Sequence, residues 1–217
     1  MTRNLIISLD AKQLDYAKLA LDNIKNGLPR AIQGAINTTL TAAKDTFYQA
    51  ILRDYALNKI PSNSNGKILN IKRAKPNDLS GNLYFKDRNL PLFKFNVNPR
   101  RPAKRNPHKV NVIAEVLRGN PQSWTHAFIA KMKSGHIGVF TRTGKTEMTT
   151  KRKWINQKRN NKDKVKHYLI TERYSTSIPQ MIEQVYFKNP MVQDRIQEQA
   201  NIKFEEQIIK ILQKASK

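Results

Sequence analysis

Apolar residues recur every third or fourth position in the first and last quarters of the chain and every second position in its middle. The first spacing is that of helices with one buried stripe, the second that of half-buried strands. Residues 5–9 (LIISL) read as a short strand, and Asp10 as the N-cap of a helix over 11–26 with Leu14, Ala17, Leu21 and Ile24 on one face. Gly27 reads as the terminator of that helix. Pro29 opens the next one, in the first turn, where a missing N–H is tolerated. The clearest stripe follows: Leu28, Ile32, Ile36, Leu40, Ala43, Phe47, Ile51 and Tyr55 line one face, and Gln33, Thr41, Lys44 and Arg53 the other. Ala31, Ala35, Ala42 and Ala50 add helix propensity.

The turn cluster at 61–66 (PSNSNG) ends this helix, and the period then changes to two. Strands are predicted over 67–74, 81–87, 92–97, 109–117, 127–132 and 137–142, with Lys133–His136 as a tight hairpin turn between the last pair. Helix returns at Thr176, Ser177, Ile178 and Pro179, runs to about Phe187 and breaks at Lys188, Asn189 and Pro190. A final stripe carries Val192, Ile196, Ala200, Phe204, Ile208, Ile209 and Leu212. Short strands between long helices predict an α+β fold, with the terminal helices on one face of a small antiparallel sheet. A single domain over residues 1–217 is expected, with extended basic arms at about 98–109 and 143–167, where few apolar residues and no period are visible.

Charge changes the picture most. The 217 residues hold 40 Lys and Arg against 16 Asp and Glu, a net +24. Such a field draws polyanions: nucleic acid, an anionic membrane, or an acidic protein surface. From Arg100 to Lys166 there are 18 lysines and arginines and only three acids, Glu115, Glu147 and Asp163. Arg100, Arg101, Lys104, Arg105, Lys151, Arg152, Lys153, Lys158 and Arg159 are the candidate contacts with DNA or with neighbouring subunits, and the run continues through Lys162, Lys164 and Lys166. Phosphate contact through such residues is independent of sequence and strongly salt-dependent. None of them sits on a predicted helix, which argues against a recognition helix in the major groove. Trp124 and Trp154 lie in the same region; stacking on bases is one use for them, and anchoring a core or an interface is the commoner one.

Chemistry is harder to find. With no cysteine there is neither a disulfide nor a thiolate metal site. No apolar run approaches the roughly 18 residues of a membrane span, and residues 5–9 are too short for a signal peptide, so assembly in a cytosol is expected. His108, His126, His136 and His167 form no HxxxH pair. A metal-dependent nuclease would need several acids around a cation. Glu115 and Glu147 with His126 and His136 is the one set available, and its spacing matches no motif. Gly119, Gly135, Gly138 and Gly144 open no helix, so no phosphate loop is formed. The inventory points to a protein without catalytic residues, metal or cofactor.

Several segments, in order, resemble the minor tail protein Z family of long-tailed phages and prophages. They are Leu28 to Asn37 (LPRAIQGAIN), the strand at 67–74 leading to Asn89–Phe95 (NLPLFKF), and the basic Pro/Arg run behind it. Next come Ala127–Ala130 (AFIA), Ser134–Arg142 (SGHIGVFTR), and Ile178–Met181 (IPQM) with the amphipathic helix after it. The likeness spans roughly residues 20–215; the stretch 143–167 is longer and more basic than the family pattern. The resemblance implies a structural virion protein of the tail, assembled in the bacterial host cytoplasm and acting in tail completion near the head-proximal end. It also implies other tail and neck proteins as partners, a ring of its own copies (commonly a hexamer), a role in placing the DNA end, and no enzymatic activity. A host protein that binds nucleic acid without sequence preference is the alternative that charge alone would allow.

Overall fold

The computed structural model describes residues 11–60, 69–86, 88–102, 111–152 and 162–216, of which 69–70, 146–152 and 162–168 are described by backbone only. The expected strand at 5–9, its cap Asp10 and the turn at 61–66 lie outside these residues. In chain order the elements are α1 (Ala11–Ala20), α2 (Gly27–Asp54), β1 (Leu69–Lys72), β2 (Asn82–Phe85), a 3-10 turn (Leu92–Lys94), β3 (Asn96–Asn98) and β4 (Val112–Glu115). They continue with β5 (Pro121–Trp124), β6 (Ala127–Lys131), β7 (Ile137–Arg152), β8 (Lys162–Glu172), α3 (Ile178–Phe187) and α4 (Pro190–Ala215). The fold is α+β, with small antiparallel sheets ordered β1-β2, β3-β4-β5 and β6-β7-β8. The chain divides into two compact units: the first takes Met1–Asp54, Ile60–Arg88 and Thr176–Lys217, the second Tyr55–Lys59 and Asn89–Ser175.

The first unit is built on α2. Its stripe of small residues, Ala31, Ala35, Ala43 and Ala50, is buried together with Leu40, Phe47 and Ile51. Small residues let the facing helix approach, and α4 answers with larger ones: Ile196, Phe204 and Ile208 are at most 2% exposed. A cluster of Ala17, Leu21, Ala31, Ala35, Phe204, Ile208 and Ile211 ties α1, α2 and α4 into one core. Phe47 sits edge-on to both Phe85 of β2 and Tyr186 of α3, with centroids 5.8 and 5.7 Å away, in the geometry favoured by aromatic quadrupoles. The β1–β2 hairpin is pinned to α2 through an amide. Asn37 Nδ2 donates to the Ala74 carbonyl at 3.2 Å, and the Ala74 N–H donates back to Asn37 Oδ1 at 2.8 Å. Gly81 lies so close that a Cβ there would come within 2.6 Å of Leu40 Cδ1. The helices pack on one another and on the β1–β2 hairpin, the only sheet of this unit among the described residues, and with the small antiparallel sheets they make the expected α+β class.

The second unit is a set of short strands around Leu92, Phe95, Val97, Val112, Ala114, Ile129 and Val139, all buried. Tyr55 to Leu57 run along its edge, with the Ala56 N–H bonded to the Val116 carbonyl at 2.9 Å and the Asn96 N–H to the Ala56 carbonyl at 2.8 Å. Residues 92–97 are not one strand as alternation predicts. Leu92 and Phe95 are both fully buried, and three residues apart in a strand they would face opposite ways; the 3-10 turn puts them on the same side. The strand Pro121–Trp124 was not expected at all: it is polar, and its leading proline is tolerated because β5 is an edge strand.

Both ends of the helical pattern hold, with one shift. Helix α1 stops at Ala20, and Asn26 takes φ +56° before Gly27 opens α2 instead of ending α1. A Cβ at Gly27 would come 3.0 Å from Leu21 Cβ and 3.1 Å from Ile24 Cβ, tighter than ordinary side-chain contact, so the connection favours a residue without a side chain. Helix α3 begins with a complete capping box: Ser177 Oγ accepts from the Gln180 N–H, and Gln180 Oε1 accepts from the Ser177 N–H at 2.9 Å.

Two outcomes check this packing. Leu40→Asp places an unpaired charge in the α2 core, at a position 6% exposed, and should cost more than about 4 kcal/mol, abolishing the cooperative thermal transition. Ser177→Ala removes only the cap, about 1 kcal/mol, and should lower Tm by roughly 2–4 °C while leaving the circular-dichroism spectrum unchanged.

Candidate functional site

The candidate basic residues collect in the second unit. That unit holds 21 lysines and arginines against four acids, while the first holds 19 against 12, together making the chain's 40 and 16. The positive field therefore belongs to the short-stranded unit.

Arg100 and Arg101 follow β3 and are exposed; Arg100 Nη2 donates to the Phe95 carbonyl at 3.4 Å. Lys151 and Arg152 form the far end of β7. The two pairs share a unit but stand on different sheets. Lys104, Arg105, Lys153, Lys158 and Arg159 lie outside the described residues, as does Trp154. Trp124 ends β5 opposite Val112, half-buried, with its indole N–H enclosed and without a hydrogen-bond partner among the described residues.

The stretch 143–167, expected to be an aperiodic arm, is strand over both of its described parts. β6 pairs with β7 only from Lys131↔Ile137 to Ala127↔Thr141, whereas β8 follows β7 from Phe140↔Glu172 out to Arg152↔Lys162. Past Thr141 the sheet is thus reduced to a two-stranded ribbon. A register shift between Arg142 and Thr146 marks where the ribbon leaves the sheet. Gly144, at φ +76° and with open space around it, supplies the left-handed backbone that such a bulge uses. Thr143 Oγ1 donates to the Leu169 carbonyl at 3.1 Å across the bulge. At the root, the Arg142 guanidinium lies 6.0 Å from the Phe128 ring centroid and Phe128 packs on Phe140 at 6.3 Å. Beside them, His136 Nε2 is 2.8 Å from Glu172 Oε1, and Tyr174 donates to Glu172 Oε2 at 3.0 Å.

Of the carboxylates a metal site would need, Glu115 has hydrogen-bond partners of its own, and the side chain of Glu147 lies outside the described ones. Glu115 Oε2 accepts from Asn96 Nδ2 at 2.7 Å and Oε1 from the Gly119 N–H at 2.6 Å, closing the turn after β4. The Asn96 bond, then the Gly119 N–H, with Arg118 nearby, hold its carboxyl below the usual range. Glu172 is taken by His136 and Tyr174. Among the described residues no three His, Asp or Glu come together around a cation position. Among the described residues this unit carries its positive charge on strands and turns.

The low Glu115 value has a testable sign. A carboxyl depressed in the folded state contributes stability above its ordinary value of 4.5 and loses it as pH falls through the folded value. Glu115→Gln should therefore flatten the acid side of the Tm-against-pH curve between about pH 5 and pH 3; identical curves for variant and wild type would show that the Asn96 and Gly119 bonds contribute nothing.

Among the described residues no helix is long and apolar enough to cross a membrane. No curated protein and no solved structure matches the chain. A family model does: the one described as prophage minor tail protein Z matches residues 11–216.

Proposed function

Because this chain belongs to the prophage minor tail protein Z family, we propose that it completes phage tails at their head-proximal end, as a ring of its own copies beside other tail and neck proteins. The structural tail role comes with the family; the place at the neck, the ring and the contact with DNA are the proposal. The observation that carries it is the extent of the match, which runs through both compact units and includes the whole basic ribbon.

Charge supports the placing. A subunit at the head-proximal end stands where DNA passes between head and tail, and a surplus of cations gathered in one unit is what such a neighbour attracts. Arg100, Arg101, Lys104, Arg105, Lys151, Arg152, Lys153, Lys158 and Arg159 are the contacts proposed for DNA or for acidic subunits. The virion tail is the proposed location, reached by assembly in the host cytoplasm.

The chain should be found in purified tails and in complete virions; its absence from both would contradict the reading, and duplex affinity without incorporation would favour a free nucleic-acid-binding protein of the host. Replacing Lys151, Arg152 and Lys153 by glutamine should leave the melting transition intact and reduce phage titre by at least an order of magnitude. An unchanged titre would remove these residues from the mechanism.

A further inference from the structure

The register of the ribbon sorts its residues by face. Neighbours along a strand alternate between faces, and residues directly opposite in an antiparallel pair share one. The pairs Thr146↔Tyr168, Met148↔Lys166, Thr150↔Lys164 and Arg152↔Lys162 therefore lie on one face, and Glu147↔His167, Thr149↔Val165 and Lys151↔Asp163 on the other. Both acids of the ribbon fall on the second face, where Lys151 stands opposite Asp163. The first face holds Arg152, Lys162, Lys164 and Lys166 with no acid at all.

From this sorting we infer that the β7–β8 ribbon meets duplex DNA through the face of Arg152, Lys162, Lys164 and Lys166. The inference rests on the reading above that the basic residues serve DNA or a subunit, and it selects both the face and the partner. Arg152 directly opposite Lys162 is a like-charge pair, which weakens a strand pairing unless something anionic lies against it. The other residues of that face include Thr146 and Thr150, of a type that also donates to phosphate oxygens. Seven paired positions, Thr146 to Arg152, span roughly 20 Å at strand rise. Over that length a duplex offers about one phosphate charge per 1.7 Å of axis, and its major groove, ~12 Å wide, admits a two-stranded ribbon.

An acidic protein is the weaker fit. Interfaces between proteins are depleted in lysine at their centre, whereas those with DNA are strongly positive, and this face is mostly cation with Met148 and Tyr168 as its only large apolar members. The opposite face, where the register sets Lys151 against Asp163 and Glu147 against His167, carries both acids and has less net charge to offer a polyanion.

The test uses the full chain and two variants of equal charge. One carries Arg152→Gln, Lys162→Gln, Lys164→Gln and Lys166→Gln. The other carries Lys25→Gln, Arg30→Gln, Lys188→Gln and Lys210→Gln, all exposed and all in the first unit. Affinity for a random-sequence duplex is measured against salt for each, with melting curves confirming that both fold. The ribbon variant should show a log–log salt slope shallower by about 3 to 4 and at least a tenfold loss of affinity, and the helix variant a slope within about 1 of wild type. Equal losses in the two variants would mean that only the overall field matters and would overturn the assignment. So would a ribbon variant that binds duplex like wild type but is no longer incorporated into tails, an outcome that hands the face to an acidic subunit. Incorporation of wild-type chain into tails is scored separately, so failure of the tail reading is distinguishable from failure of the ribbon assignment.

Discussion

Everything in the first unit depends on one buried surface, the alanine-lined face of α2. Three stretches of chain widely separated in sequence converge on it: α1 before it, the β1–β2 hairpin after it, and α3 with α4 from the far end. Alanine at 31, 35, 43 and 50 sets how near α4 can come, and the bulk is supplied from the other side by Ile196, Phe204 and Ile208. At Gly34 a Cβ would meet only the flexible end of Gln207, Oε1 at 2.6 Å, which can swing aside. Large residues at the alanine positions would force the helices apart and open the core to water. The hairpin is held differently, by the amide of Asn37 standing in for a strand partner at Ala74.

The second unit follows another logic. Most of its strands are short, and its largest extension, the ribbon of β7 and β8 beyond Thr141, pairs only with itself among the described residues. A ribbon of that kind gains little from apolar burial, and its residues are free to be selected for what they meet outside. That freedom is where the charge went: the unit carries a fivefold excess of basic over acidic residues, 21 against four. Stability and contact are thus divided between the units, with the helical one supplying most of the large buried core and the stranded one the field.

This division also decides what could be read from the sequence. The stripes of α2 and α4 are visible because burial demands a period near 3.6, and the cap at Ser177 because its partner Gln180 stands three residues on. The hairpin turn before Ile137 is legible for the same local reason: Gly135 takes φ +86° there. The ribbon was missed because its sequence holds no apolar alternation to count. A signal was present all the same. Lys162, Lys164, Lys166 and Tyr168 alternate at period two, and threonines at 141, 143, 146, 149 and 150 favour extended backbone. Lys162, Lys164 and Lys166 were visible as charge but not as one face, because a face exists only once the register with β7 is known. The turn at Leu92–Lys94 was illegible for a different reason: its shape is set by a long-range bond, Leu92 N–H to the Arg173 carbonyl at 2.8 Å.

The cationic strand pair is proposed to meet DNA at the head-proximal end of the tail. An electron-microscopy map of the assembled tail with its DNA in place tests it most directly. The account predicts copies of this chain in a ring at that end, with the β7–β8 ribbon lying against the DNA density and the Lys162, Lys164 and Lys166 face turned toward it. A ring elsewhere in the tail, or a ribbon packed between protein subunits with that face turned away from the channel, would contradict it.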